Sequence, residues 1–247
     1  MKKLRILFYF IIALGVASCD KANRCDCFKS TGSITREHRT IPGFNKISVS
    51  DNINLYILQD TFCSIIVEAG EHLISSIKTE VTDSCIYLTN ENKCNWVRSF
   101  KNKVNIYLRY KRIKGLIYNT GSGNISTMDT LYTDYFQFDD IAGSGNINFK
   151  IVSNTSWFNL HTGPADLTVS GRSGVSYLYS AGNGKADLSH FPSGFLYITN
   201  NSTNNCYTNV EKLIEAQIGY VGDIYYTGNP YSISTKITGS GKLIKTN

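Results

Sequence analysis

The sequence predicts an all-β chain wound into a right-handed, parallel β-helix-like solenoid, with coils of about 20 residues and more irregular strands before them. Three observations carry that prediction. Val, Ile, Thr and Tyr abound with Gly and Asn between them, and 247 residues hold only 4 Pro, a strand-and-turn balance. Apolar and polar residues alternate, as in FNKISVSDNINLYILQ, and no long stretch keeps a 3.6-residue period. Finally, one turn is written three times: TGSGNIS at 120–126, AGSGNIN at 142–148 and TGSGKLI at 238–244, with weaker copies between.

Residues 1–18 read as a lipoprotein signal peptide. MKKLR is basic, ILFYFIIALG is an apolar run shorter than a membrane span, and VASC offers a small-residue exit. Val16-Ala17-Ser18-Cys19 matches the bacterial lipobox, which makes Cys19 the acylated first residue of the mature chain and a membrane its partner. The leader takes Lys2, Lys3 and Arg5 with it, so the formal net charge falls from +6 to +3. So small a charge, on a chain addressed to a membrane, makes no case for nucleic acid.

Residues 19–40 are polar and aperiodic, and are predicted to be a tether. Six cysteines remain beyond Cys19, namely Cys25, Cys27, Cys63, Cys85, Cys94 and Cys206. An exported chain permits disulfides, and Cys85 and Cys94 flank a loop that a bridge would close. Only one close pair exists, Cys25 and Cys27, where zinc spacing needs two, so no metal is expected.

The domain is predicted to span 41–247, with strands over 41–114 and glycine-turn repeats over 115–247. In the first part Ile47, Val49, Ile53, Leu55 and Ile57 alternate against Lys46, Ser48, Asn52, Asn54 and Tyr56. In the second part the leading glycines are Gly121, Gly143, Gly163, Gly182, Gly222 and Gly239, with Gly123, Gly145 and Gly241 as second glycines. The first three intervals are 22, 20 and 19 residues. One copy, near residue 201, has Asn for Gly, the other residue that tolerates positive φ. After each turn comes an apolar residue: Ile125, Ile147, Leu167, Leu188, Ile224 and Leu243. These are predicted to form an inward ladder with rungs about 4.8 Å apart. The residue before each is polar, which makes a parallel outward ladder of Asn124, Asn146, Asp166, Asp187, Asp223 and Lys242.

FNKISVSDNINLYILQ, VNIYLRYKRIKGLIYNTGSGNI and the recurring Gly-Ser-Gly-Asn/Asp-hydrophobic turns resemble the head GIN domain of auto-transporter adhesins, from about Pro42 to Asn247. The resemblance implies a secreted or surface-anchored, β-helix-like protein of diderm bacteria, and it brings no catalytic residues. The departures from it are the degraded fourth and fifth turns and the six cysteines.

Phosphate chemistry fails on spacing. Before Gly241-Lys242 the first P-loop glycine position holds Lys236, and Leu243 stands where Ser or Thr belongs. Gly121-Ser122-Gly123 lacks the third glycine of a dinucleotide loop and opens a strand. No cofactor is therefore expected. Asp166 and Asp187 align at equivalent turn positions, where a polysaccharide-cleaving solenoid would place an acid and base; local backbone bonds are the ordinary use of such residues. His38, His72, His161 and His190 fall into no nucleophile–base–acid order. Tyr177 and Tyr179 alternate on one strand and, with Asn124, Asn146, Asp166 and Asp187, form the candidate binding surface for a glycan or protein.

The expectation is a non-enzymatic, lipid-anchored cell-envelope protein on the outer membrane, an adhesin or binding scaffold. The alternatives are a polysaccharide-degrading β-helix enzyme and a periplasm-facing structural or envelope-stress protein. Solenoid ends expose unpaired strand edges, so a homodimer through such an edge is a further expectation.

Overall fold

Alternation gives every strand one apolar face, and a single strand cannot bury it; stacking successive coils does. The computed structural model describes residues 30–93 and 104–246. Its first strands are β1 (Ile34–Arg39), β2 (Lys46–Val49), β3 (Ile53–Gln59), β4 (Ser64–Gly70), β5 (Ile77–Thr82), β6 (Cys85–Asn90), β7 (Val104–Tyr110), β8 (Gly115–Gly121) and β9 (Ile125–Thr127). The long strands follow: β10 (Leu131–Gly143), β11 (Asn146–Leu160), β12 (Asp166–Ser180), β13 (Ala186–Asn200) and β14 (Cys206–Ile218). Short β15 (Ile224–Thr227), β16 (Ser232–Ile237) and β17 (Leu243–Lys245) close the order. The strands stack in parallel coils of about 20 residues, a β-solenoid as the repeat predicts.

Two rows of strands enclose the core. One row runs β6, β2, β8, β10, then the C-terminal halves of β11 to β14, then β16. The other runs β7, β3, β9, then the N-terminal halves of β11 to β14, then β15 and β17. Spatial and sequence order part company at the start. The β2–β3 coil is laid down first, yet it lies between the later β6–β7 coil and the β8–β9 coil. Beyond β6 and β7 the end is closed by antiparallel pairing of β5 on β6, β4 on β7 and β1 on β4.

Two sequence expectations about the strands need correction here. Residues 34–39 belong to β1 rather than to a tether. ITREHR carries no apolar pattern because it sits outermost; edge hydrogen bonds with β4 and polar side chains hold it. Arg36 meets Glu68 at 2.6 Å, and the Arg39 guanidinium donates to the carbonyls of Ile74 and Ile77. The second correction is the inward ladder, which runs Leu55, Ile125, Ile147, Leu167, Ala186, Cys206, Ile224 and Leu243. Leu188 is not its member. The repeated tripeptide Ala-Asp-Leu at 165–167 and 186–188 is out of register by two residues, because Gly184 stacks on Ala165 and Ala186 on Leu167. Cys206 fills the rung of the copy that lacks glycine, and it is fully buried.

Candidate functional site

The Gly-Ser-Gly corner is made for contact between coils. Of its glycines only Gly121 has a positive φ, at 118°. Elsewhere the need is space: a Cβ on Gly145 would stand inside van der Waals contact of the Gly123 carbonyl oxygen, and one on Gly184 would meet that of Ala165. The register also moves Gly222. It stacks under Gly241 and over Asn204, so it is a second glycine, and Tyr220 holds the leading place.

The polar residues beside this corner hold the coils together. Asn54 Oδ1 accepts the Asn124 backbone N–H at 3.0 Å, and Asn124 Oδ1 accepts that of Asn146 at 3.0 Å. Asp166 does the same for Lys185 at 2.8 Å, Asn205 for Asp223 at 2.9 Å, and Asp223 for Lys242 at 2.8 Å. Each bond satisfies a donor that the tight turn leaves without a strand partner. Asp187 lies off this ladder, opposite Thr168 and Tyr207, where it binds Lys185 at 2.9 Å and the Ser189 hydroxyl at 2.6 Å.

The tyrosines are likewise occupied. Tyr177 stacks between Trp157, with ring centroids 3.7 Å apart, and Tyr197 at 5.0 Å. Both of its faces are covered by its own protein, so it offers a ligand only an edge. Tyr179 leans on His161, with centroids 5.9 Å apart. Among the described residues Cys63, Cys85 and Cys206 form no disulfide with one another, and burial pushes the Cys206 thiol up to about 12, too high for ready oxidation. Cys19, Cys25, Cys27 and Cys94 lie outside the described residues, and with them the lipid anchor and the proposed Cys85 bridge.

A hollow of about 200 Å³ lies beside Tyr177, Tyr179 and Tyr197. A larger concave surface is at the opposite corner, within the long strands, where each coil passes from one row to the other. A groove of about 750 Å³ runs there along the stacking axis. Its floor follows from register: Asp134, Asn154, Gly174 and Gly194 stand on successive rungs, and the last two have no side chain to fill the space. Beneath it Ser153, Ser173 and Ser193 turn inward. Their small side chains bond one another and their neighbours, Ser153 to Ser173 at 3.2 Å and Ser193 to Ser176 at 2.7 Å. Small residues on both sides of the backbone let the wall bend in.

Over this floor stand Tyr132, 63% exposed, together with Arg172, Glu211 and Lys212, the last of which lies over the Phe195 ring at 5.6 Å. Asn154 Nδ2 is held by Asp134 at 2.9 Å. Donors, acceptors and aromatic surface are mixed there without one dominating charge, the balance that suits a polyhydroxylated ligand. None of the binding-surface candidates read from the sequence lines this corner. Its own signal is in the sequence, as Ser173-Gly174-Val175 and Ser193-Gly194-Phe195 twenty residues apart.

The two carboxylates that line the groove do not form an acid/base pair. Asp134 and Glu211 are separated by four rungs, about 19 Å at the inter-strand spacing, beyond the reach of paired carboxylates in glycoside hydrolysis. Burial raises the Asp187 carboxyl, but bonds from Ser189 and Lys185 outweigh it and hold the group below its ordinary value, the wrong direction for a general acid. No cluster of potential metal ligands occurs among the described residues, and none of their helices is long and apolar enough to cross a membrane.

Comparison with known proteins agrees with this architecture. Among solved structures, a "putative adhesin" from Bacteroides fragilis is similar with a TM-score of 0.80 at 19% identity, over 87% of this chain and 97% of that one. A "putative lipid binding protein" from Parabacteroides distasonis follows with 0.70 at 18% identity, over 88% and 98%. A "putative adhesin" from Parabacteroides merdae has 0.60 at 15% identity, over 88% and 98%. At such identities the likeness speaks for the fold. No curated protein matches the chain. The family model described as "Putative auto-transporter adhesin, head GIN domain" matches residues 43–230, from just before β2 to just after β15. With most of its length matched by that model, the chain belongs to the head GIN domain family.

Proposed function

We propose that this chain is a non-enzymatic adhesin of the bacterial cell envelope, held to a membrane by acylated Cys19, and that it binds a glycan in the corner groove. The observation that carries the reading is the groove itself, with polar floor, aromatic walls and charges of both signs. Family membership and the adhesin-like neighbours support it. The mixed polar lining argues against an acyl chain as ligand, which needs apolar walls.

A glycan array followed by calorimetry on the full chain tests the groove. Arg172→Ala and Tyr132→Ala are each expected to weaken binding by about tenfold or more, the loss typical of a charged or aromatic anchor at a binding site. Glu80→Ala, on β5 at the far end, is expected to bind as the parent does. Undiminished binding by both groove variants would place the ligand elsewhere and end this reading. The anchor is tested separately: intact-mass measurement of the membrane-extracted protein is expected to show Cys19 as an acylated first residue. An unmodified N-terminus there contradicts it.

A further inference from the structure

The two ends of the solenoid are finished differently. At the N-terminal end the outermost strands, β1 and β5, read ITREHR and IKTEVT. Their charged residues discourage further strand addition. At the other end, β16 and β17 have a strand neighbour on one side only among the described residues. Register puts Ile233 over Ile214, Thr235 over Ala216 and Ile237 over Ile218. Those three partners are buried, yet Ile233 and Ile237 are 50% and 48% exposed. The core therefore runs out to the surface here, beside a row of unpaired backbone donors and acceptors.

The residue order of β16, SISTKI, selects what covers it. Ile233 and Ile237 are placed symmetrically about Thr235. Set a second copy antiparallel with its Thr235 opposite this one: Ile233 then meets Ile237 of the partner subunit, and by symmetry the same contact forms twice. On the outward face Lys236 meets Ser234 of the partner subunit. Neighbouring registers are worse. Centring on Lys236 sets two lysines directly opposite each other, which repels. Centring on Ser234 pairs each Ile233 with a threonine and carries Ile237 past the end of the opposing strand, against Tyr231 of the partner subunit. A shift that breaks the two-residue parity would turn the apolar face outward. Apolar matching and charge avoidance thus agree on one register, and that register is self-complementary, as a two-fold interface requires.

We propose that β16 is a homodimer interface, pairing antiparallel about Thr235 and joining two solenoids end to end. The pairing covers the open core and the unpaired edge at once. It is independent of what the groove binds.

Cysteine cross-linking of the full chain in mild detergent tests the register. Thr235→Cys is expected to give an oxidised dimer whose joined peptide, identified by mass, links position 235 to itself. Ser234→Cys alone is expected to give none, whereas Ser234→Cys combined with Lys236→Cys is expected to link 234 to 236. Sedimentation supplies a second measurement, since Ile233→Lys with Ile237→Lys changes only half-exposed side chains. The parent is expected to sediment as a dimer and this variant as a monomer. A monomeric parent overturns the proposal. So does a dimer that survives both lysines, or a Ser234→Cys variant that links as readily as Thr235→Cys.

Discussion

Asp140→Asn is expected to make the protein more stable at pH 7.5, by about 2–3 kcal/mol, and to leave stability nearly unchanged at pH 4. Asp140 is fully buried at the Gly-Ser-Gly corner. Its Oδ1 accepts the Gly143 N–H at 2.8 Å, while Oδ2 has no hydrogen-bond partner. Burial pushes the carboxyl up to about 6, against the pull of the Gly143 N–H and of His161. Because the folded value lies above the ordinary one, the folded state prefers the proton. The favourable contribution is complete below about pH 4 and fades as pH rises to 6, after which an ionised carboxylate stays buried. Asparagine keeps the acceptor and carries no charge. The chain already uses it this way three rungs further on. There Asn200 Oδ1 accepts the Ser202 N–H at 3.0 Å, and its amide donates to the Asn204 carbonyl at 3.1 Å. Urea unfolding of parent and variant at both pH values measures the difference. Equal stabilities at pH 7.5 would mean that Asp140 is hydrated or paired in solution.

Gly145→Ala is expected to cost at least about 3 kcal/mol, toward the upper end of the overpacking range. The added Cβ meets backbone, namely the Gly123 carbonyl oxygen, which also accepts the Tyr118 hydroxyl at 2.9 Å. Neither coil can move aside, because each is stacked on another. Gly43→Ala is the matched control. Nothing lies within 4 Å of a Cβ there, so the smaller entropy of the unfolded chain is expected to make the change neutral or slightly stabilising. Thermal melting separates the two, at roughly 2–4 °C for each kcal/mol in a domain of this size. A Gly145→Ala protein that melts with the parent would show that the corner has slack.

Class, repeat and inward alternation were legible because each is a local rule repeated many times. A period near 20 residues with a glycine pair in most copies needs no knowledge of neighbours, and Ile125, Ile147 and Leu167 stack as that period requires. Register was legible only where the copies were regular. At 163–188 the repeated Ala-Asp-Leu is a stronger match by eye than Gly163 with Gly182. Backbone stacking decides for the glycines, since their bare Cα lets the coils approach. The candidate site was readable only in part. An alternating tyrosine looks the same in sequence whether its faces are open or stacked, as those of Tyr177 are between Trp157 and Tyr197.

The sequence by itself determined that this chain winds into coils, where most of them turn, and which residues face inward, because these depend on side-chain period and glycine spacing alone. Tertiary structure decided the rest. It threaded the β2–β3 coil between two later ones, drew β1 out of the presumed tether, and set the partners of Asp166 and Asp187. It also made a groove from Gly174 and Gly194, and left Ile233 and Ile237 at an open end. The physical reason is common to all of these. They are relations between residues on different coils, where a vacancy, a contact or an uncovered face exists only once the next coil is, or is not, laid beside it.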